Sequence, residues 1–294
     1  MHTFSAKTKI LKLEVIHTKA ALNNFVSQLK YKGNKIALVP TMGALHAGHI
    51  SLVDQAKQFA DVVICSIFVN PTQFTDTKDL EKYPRPLEHD LDMLSASGCE
   101  AVFMPSVQEM YPKPEAWHVD LGPAEFVLEG QFRKGHFQGV TQIVKKLFDC
   151  VMPDVALFGQ KDFQQVLMIK NMVELFTMPI EIVTCPIIRE TDGLAMSSRN
   201  MHLSTEDRKH ALVLSEALLF VAERFSEDSI GALIEQAKDF FKHQVGVELD
   251  YFTISNITTL MPAESKTEGD LVALVAAKVG ATRLIDNIIL TGKN

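Results

Sequence analysis

The chain has 294 residues, 47% of them apolar, enough for one large α/β domain or two ordinary ones with well-filled cores. A formal charge of −7 at pH 7 argues against a general nucleic-acid-binding surface, while leaving room for a local basic pocket that holds phosphates. No uncharged apolar run approaches the ~20 residues that span a bilayer, so no membrane partner is expected. Met1 to Lys9 carries no secretory core, and Cys65, Cys99, Cys150 and Cys185 lack zinc or redox spacing. Buried, reduced thiols in a cytoplasmic protein are the expectation.

In chain order, Lys35 to Val39 reads as a buried strand stopped by Pro40, and Ile50 to Ala60 as a helix with Leu52, Val53, Ala56, Phe59 and Ala60 on one face. Asp61 to Val69 is apolar almost throughout, as in a parallel strand covered on both sides. A helix over Leu87 to Ser97 follows, then a strand over Ala101 to Met104, a helix over Gly139 to Cys150 and a strand over Val155 to Phe158. A helix over Asp162 to Phe176 and a strand over Ile180 to Thr184 complete the series. These β-then-α units predict a doubly wound parallel sheet with right-handed crossovers.

After Pro186 the pattern changes. Ser204-Thr-Glu-Asp207 is a capping box that predicts a long amphipathic helix to about Phe225. A second helix over Ser229 to His243 precedes strand-like runs at Leu249 to Ile254, Leu271 to Ala277 and Leu284 to Leu290. The expected organisation is an α/β domain over residues 1–186 and a smaller C-terminal α+β domain over 187–294.

Ligands on open parallel sheets bind beyond the carboxyl ends of the strands. Three polar stretches meet that condition: Thr41 to His49, Asn70 to Phe74 and Gly159 to Phe163. The first is neither a Walker A loop nor a G-x-G-x-x-G turn, and His46-Ala-Gly-His49 lacks the glutamate and spacing of a zinc-protease helix. It offers a glycine between two imidazoles where a helix begins, a place where N–H groups favour phosphate and ring N–H groups can stabilise growing charge. The alternative at this point is a pair of ordinary capping or surface histidines.

Six blocks, in order, carry a resemblance: Pro40 to His49, Ser66 to Phe74, Tyr83-Pro-Arg85, Glu129-Gly130 with Arg133 to Phe137, Phe158 to Gln165, and Asp192 to Asn200. Together they closely resemble the pantothenate synthetase (pantoate–beta-alanine ligase) family of adenylate-forming nucleotidyltransferases. The resemblance implies a Rossmann-like fold, a C-terminal domain that acts as a lid, a homodimer, and ATP with Mg2+. It implies two steps: pantoate's carboxylate attacks the α-phosphate of ATP to give pantoyl adenylate and pyrophosphate, then β-alanine's amine displaces AMP.

The resemblance further implies that Met42, Gly43, Ala44, Leu45, His46, Ala47, Gly48 and His49 bind ATP. His49 is then the family's proton donor or, on physical grounds, a charge stabiliser, with His46 assisting. Gly159, Gln160, Lys161 and Asp162 form a second ATP segment, in which Lys161 neutralises phosphate charge and Asp162 either caps the following helix or grips ribose. Ile188 offers its backbone to adenine, and Met196, Ser197, Ser198 and Arg199 form a mobile segment over the phosphates. Gln73 and Gln165 contact pantoate, Gln73 lies near β-alanine, and Asn70 orients Gln73 or the substrate. Tyr83, Glu129 and Arg133 form a further shell, for which the alternatives are that Tyr83-Pro-Arg85 holds a loop and that Glu129 orders Arg133. Lys134 stands where the family is expected to carry proline, and Thr75-Asp76 where it carries glycine. The alternatives are an adenylate-forming enzyme for a different small acid, or a catalytically silent nucleotide-binding relative.

Overall fold

The computed structural model describes residues 13–290; the Met1 to Lys9 stretch lies outside them. Six strands form a parallel sheet: β1 (Glu14–Ile16), β2 (Ile36–Thr41), β3 (Val62–Ile67), β4 (Ala101–Phe103), β5 (Val155–Gly159) and β6 (Glu181–Cys185), in the order β1-β4-β3-β2-β5-β6. The order reverses around β2, whose two neighbours are β3 and β5, so the crevice between the ends of β2 and β5 is the switch point of a doubly wound sheet.

Helices cover both faces of this sheet, and β2 shows why its sequence is apolar without alternation. Ile36 and Leu38 enter one core with α1 (Lys19–Tyr31), while Ala37 and Val39 enter another with α2 (Ala47–Ala56). Two short helices, α3 (Thr77–Lys82) and α5 (Val107–Met110), flank α4 (Leu87–Ser97), which sits on the α2 side. After the single turn α6 (Glu129–Phe132), the helices α7 (His136–Val151) and α8 (Phe163–Leu175) pack on the α1 side.

The remaining strands, β7 (Val247–Asn256), β8 (Leu271–Val279) and β9 (Thr282–Leu290), make an antiparallel sheet. Helices α9 (Thr205–His210), α10 (Leu212–Arg224) and α11 (Ile230–Lys242) precede it, and α10 and α11 pack on one face through Val221, Leu233, Ile254 and Val275. From the opposite face Val272 and Leu274 join the core of the parallel sheet. The two sheets therefore share apolar packing.

Several boundaries differ from the sequence reading. β2 continues through Pro40, in register with Ser66 of β3. The Thr41 carbonyl accepts from Phe68 on the β3 side, so the missing N–H of Pro40 faces β5, whose pairing has already ended at Leu38. The helix expected over Ile50 to Ala60 begins at Ala47 and ends at Ala56, where three-residue turn bonds from Gln58 and Phe59 tighten the chain. The helix expected over Gly139 to Cys150 begins at His136. The long helix from Ser204 is divided at Ala211, where Leu214 N–H reaches the Ala211 carbonyl in a three-residue bond. Strand β1 and helix α1 are absent from the sequence reading, although Thr18 caps Ala21 and Leu22 and Val26 are four apart and fully buried. The four thiols are unpaired; Cys150 is half-buried, the other three buried.

Candidate active site

At the switch point lies a cavity of about 240 Å³, walled by the ends of β2 and β5, the start of α2 and α7, the 186–199 segment and one face of the antiparallel sheet. Its geometry begins with the loop after β2. Asp90, buried on α4, accepts the amides of Ala44 (2.9 Å) and Leu45 (2.7 Å), and Thr41 Oγ1 accepts that of Gly43 (3.1 Å). These bonds draw Gly43, Ala44 and Leu45 off the cavity wall. Met42, His46, Gly48 and His49 line it; Ala47 is exposed and does not.

His46 is the N-cap of α2. Its Nδ1 accepts from Gly48 N–H at 3.2 Å, and His49 Nδ1 accepts from His46 N–H at 3.3 Å, a reciprocal capping box built from imidazoles. A backbone N–H can only donate, so each neutral ring carries its proton on Nε2. The ring centroids are 4.1 Å apart, and a Cβ on Gly48 would stand 2.9 Å from the His46 ring. Burial, with the Lys161 charge, pulls His46 down to about 4, and burial, with His46, pulls His49 down to about 3. Both are neutral donors at pH 7. Capping and ligand binding are thus compatible uses of one pair of rings: Nδ1 holds the helix, and Nε2–H remains.

The loop after β3 supplies Gln73, buried at the cavity edge. Its Oε1 accepts from Asn70 Nδ2 (3.2 Å), and its Nε2 lies 2.8 Å from Met42 Sδ. Asn70 is almost fully buried away from the cavity, bonded to Gly139 O (3.0 Å) and accepting from Tyr111 Oη (2.8 Å). It therefore orients Gln73. Gly139 lets α7 approach this turn, because a Cβ there would overlap the Thr72 carbonyl.

Beyond β5, Gly159, Lys161, Asp162 and Gln165 face the cavity, but Gln160 does not: its amide bonds Asn287 of β9 at 3.1 Å. Asn287 Nδ2 in turn donates to the Gln160 and Lys161 carbonyls, both at 3.0 Å, so the antiparallel sheet holds this segment. Asp162 makes no side-chain cap on α8. Burial would raise its carboxyl, but Lys161, Arg199 and Arg133 outweigh burial and hold it below the usual carboxylate value. Neighbouring Gln164 also lines the cavity, but its amide is engaged with Ala124, Val127 and Glu129, whereas Gln165 lines it without such bonds among the described residues.

Pro186 to Arg199 closes one side. Ile188 lines the cavity and accepts from Met196 N–H at 3.0 Å; Arg189 bridges to Asp286 of β9 at 2.6 and 3.1 Å. Met196, Ser197, Ser198 and Arg199 all face inward, although Ser197 Oγ also accepts from Arg199 N–H. Arg199 pairs with Asp79 of α3 at 3.2 Å.

The Glu129 carboxylate makes no hydrogen bond with the Arg133 side chain; only the backbones meet, Arg133 N–H donating to the Glu129 carbonyl at 2.8 Å. The carboxylate is gripped by Arg283 of β9 at 2.6 and 2.8 Å and accepts from Tyr251 Oη at 3.0 Å, while Arg283 also pairs with Asp250 at 2.6 Å. Arg133 has no ion-pair partner among the described residues and lines the cavity. The sequence reading assigns no role to His136, Asp90, Tyr251, Arg283 or Asn287. Only His136 carries a local signal, a histidine at the start of an amphipathic helix between Gly135 and an apolar face; the others act across long sequence separations.

A family model described as Pantoate-beta-alanine ligase matches residues 14–289. The chain is 44% identical over 280 residues to pantothenate synthetase of Porphyromonas gingivalis (strain ATCC BAA-308 / W83), covering 94% of this chain and 99% of that protein. It is 46% identical over 280 residues to pantothenate synthetase of Moorella thermoacetica, covering 95% and 99%. The crystal structure of pantothenate synthetase from Thermus thermophilus superposes with a TM-score of 0.89 at 38% identity, covering 94% and 99% of the two chains. That of pantoate-beta-alanine ligase from Francisella tularensis, complexed with beta-gamma ATP and beta-alanine, gives 0.78 at 33% identity, covering 94% and 97%.

Proposed function

The chain belongs to the pantoate–beta-alanine ligase family, and from that premise we propose that its cavity condenses pantoate with β-alanine, using ATP and passing through pantoyl adenylate. The observation that supports this most is the meeting, in one cavity, of two neutral Nε2–H donors, the Lys161 ammonium and the Arg199 guanidinium, with Gln73 and Gln165 also lining it.

Pantoate's carboxylate is already an anion, so the first step needs no base. It needs two anions brought together and charge met as it grows on the phosphates. His49 and His46 donate from Nε2 to the α-phosphate region; with free-protein values near 3 and 4 they enter as neutral charge stabilisers. Lys161 places a full positive charge beside them, and Ser198 and Arg199 reach the outer phosphates when Arg199 leaves Asp79. Gln73 and Gln165 donate to and accept from the hydroxy acid without adding charge. Met42, the Ile188 backbone and the loop through Gly48 enclose the nucleotide.

Mg2+ usually rides on substrate phosphates with one or two protein carboxylates. Of the carboxylates lining the cavity, Glu129 and Asp286 are each held by an arginine, which leaves Asp162 for the metal or the ribose. Bound there, Mg2+ would neutralise phosphate charge. We place the domain boundary near 186, and propose a cytoplasmic homodimer.

With labelled pyrophosphate, exchange into ATP should require pantoate and Mg2+ but no β-alanine. Because the free-protein imidazoles are neutral well below pH 7, kcat/KM for ATP should change by less than about twofold between pH 7 and 8.5. No exchange would remove the enzyme reading, exchange with another acid would change the substrate, and a tenfold fall per pH unit would make His49 an imidazolium acid.

A further inference from the structure

His136 is unlike the two capping histidines. It opens α7, it is almost fully buried, and its Nδ1 lies 2.8 Å from the backbone carbonyl of Gln73. A carbonyl only accepts, so Nδ1 carries the proton and Nε2 keeps its lone pair, the reverse of His46 and His49. His136 lines the cavity, and Nε2 has no hydrogen-bond partner among the described residues. The cavity thus holds imidazole donors at one place and an imidazole acceptor, fixed to Gln73, at another.

The second half-reaction needs such an acceptor. Resting on the ligase reading above, we propose that His136 Nε2 takes the proton from the β-alanine nitrogen as that nitrogen bonds the pantoyl carbonyl carbon. The amine reacts as its free base, its ammonium proton having been left with solvent before the C–N bond forms. As the C–N bond forms, the nitrogen becomes positive and acidic, and Nε2 removes one proton. The carbon–oxygen bond to phosphate breaks, its electron pair leaves on AMP, and the imidazolium returns its proton to solvent.

The charged groups that face His136 are Arg133, Asp162 and Glu129. Burial, then Arg133, hold the free-protein imidazole down to about 4. An adenylate phosphate beside Arg133 offsets that charge, so the base gains strength only once the intermediate exists.

His136→Asn retains an N–H able to reach the Gln73 carbonyl and removes Nε2. Net pantothenate synthesis should fall about 10²–10⁴-fold, with pantoate-dependent exchange lowered no more than about threefold. Hydroxylamine, unprotonated at neutral pH, should still consume the adenylate in this variant. In the wild-type protein, heavy water should slow amide formation and leave exchange unaffected, a readout independent of whether the variant folds. Equal loss of exchange and synthesis, no loss of synthesis, or no solvent isotope effect on amide formation would overturn the proposal. Absence of exchange in the wild type would instead remove the ligase reading.

Discussion

Lys161→Met should lower pantoate-dependent exchange about 10²–10³-fold in kcat/KM for ATP while leaving the melting temperature nearly unchanged. The substitution keeps an apolar stem and removes a charge whose ion-pair partner, Asp162, lies at 3.9 Å. Asp162 is half exposed and retains Arg199 and Arg133 nearby, so its carboxylate is not left uncompensated. The loss falls on the step in which negative charge accumulates. His49→Ala should act on the same step with a similar magnitude, and the double variant should lose much less than the product of the single losses, because both groups serve one transition state. A change of less than about threefold in either variant would mean that these side chains face the triphosphate without stabilising its reaction.

Arg283→Ala should be the most destabilising single change at the seam between the sheets, by about 3–5 kcal/mol in urea denaturation. Its guanidinium grips Glu129 from β9, across 154 residues of chain, and also holds Asp250. Burial acts to raise the Glu129 carboxyl, but Arg283 outweighs it and holds the value below the usual carboxylate range. In the wild type this contributes stability above the unfolded carboxyl value, lost as pH falls through the lower folded value. Without Arg283, burial raises the folded value instead, so the deficit is full above that raised value and shrinks as pH falls through it and the carboxyl protonates. A deficit under about 1 kcal/mol, or one independent of pH, would show that Tyr251 and solvent suffice for Glu129.

What the sequence discloses follows from the range of each interaction. Doubly covered strands such as β3 are apolar at successive positions, and α4 repeats its apolar residues at helical spacing until Gly98 turns left-handed, so both can be read locally. Pro40 misleads because a local rule about proline ignores where a neighbouring strand ends. At the site, His46, Gly48 and His49 are close in sequence and can be read as a unit. Asp90 and Asn287 cannot: they reach the two binding loops across about 45 and 127 residues of chain. The sequence reading pairs Glu129 with the nearby Arg133 because sequence proximity stands in for geometry. His136 is visible, but which of its nitrogens carries the proton depends on the Gln73 carbonyl, and only the fold brings that atom to it.

The central claim is that imidazole, ammonium and guanidinium groups from three segments converge on a single triphosphate. A crystal structure with a non-hydrolysable ATP analogue and pantoate tests it most directly. His49 Nε2 and Lys161 Nζ should each lie about 3 Å from phosphate oxygens, with Arg199 released from Asp79 onto the same phosphates. A triphosphate bound elsewhere, with Arg199 still paired to Asp79, would contradict the account.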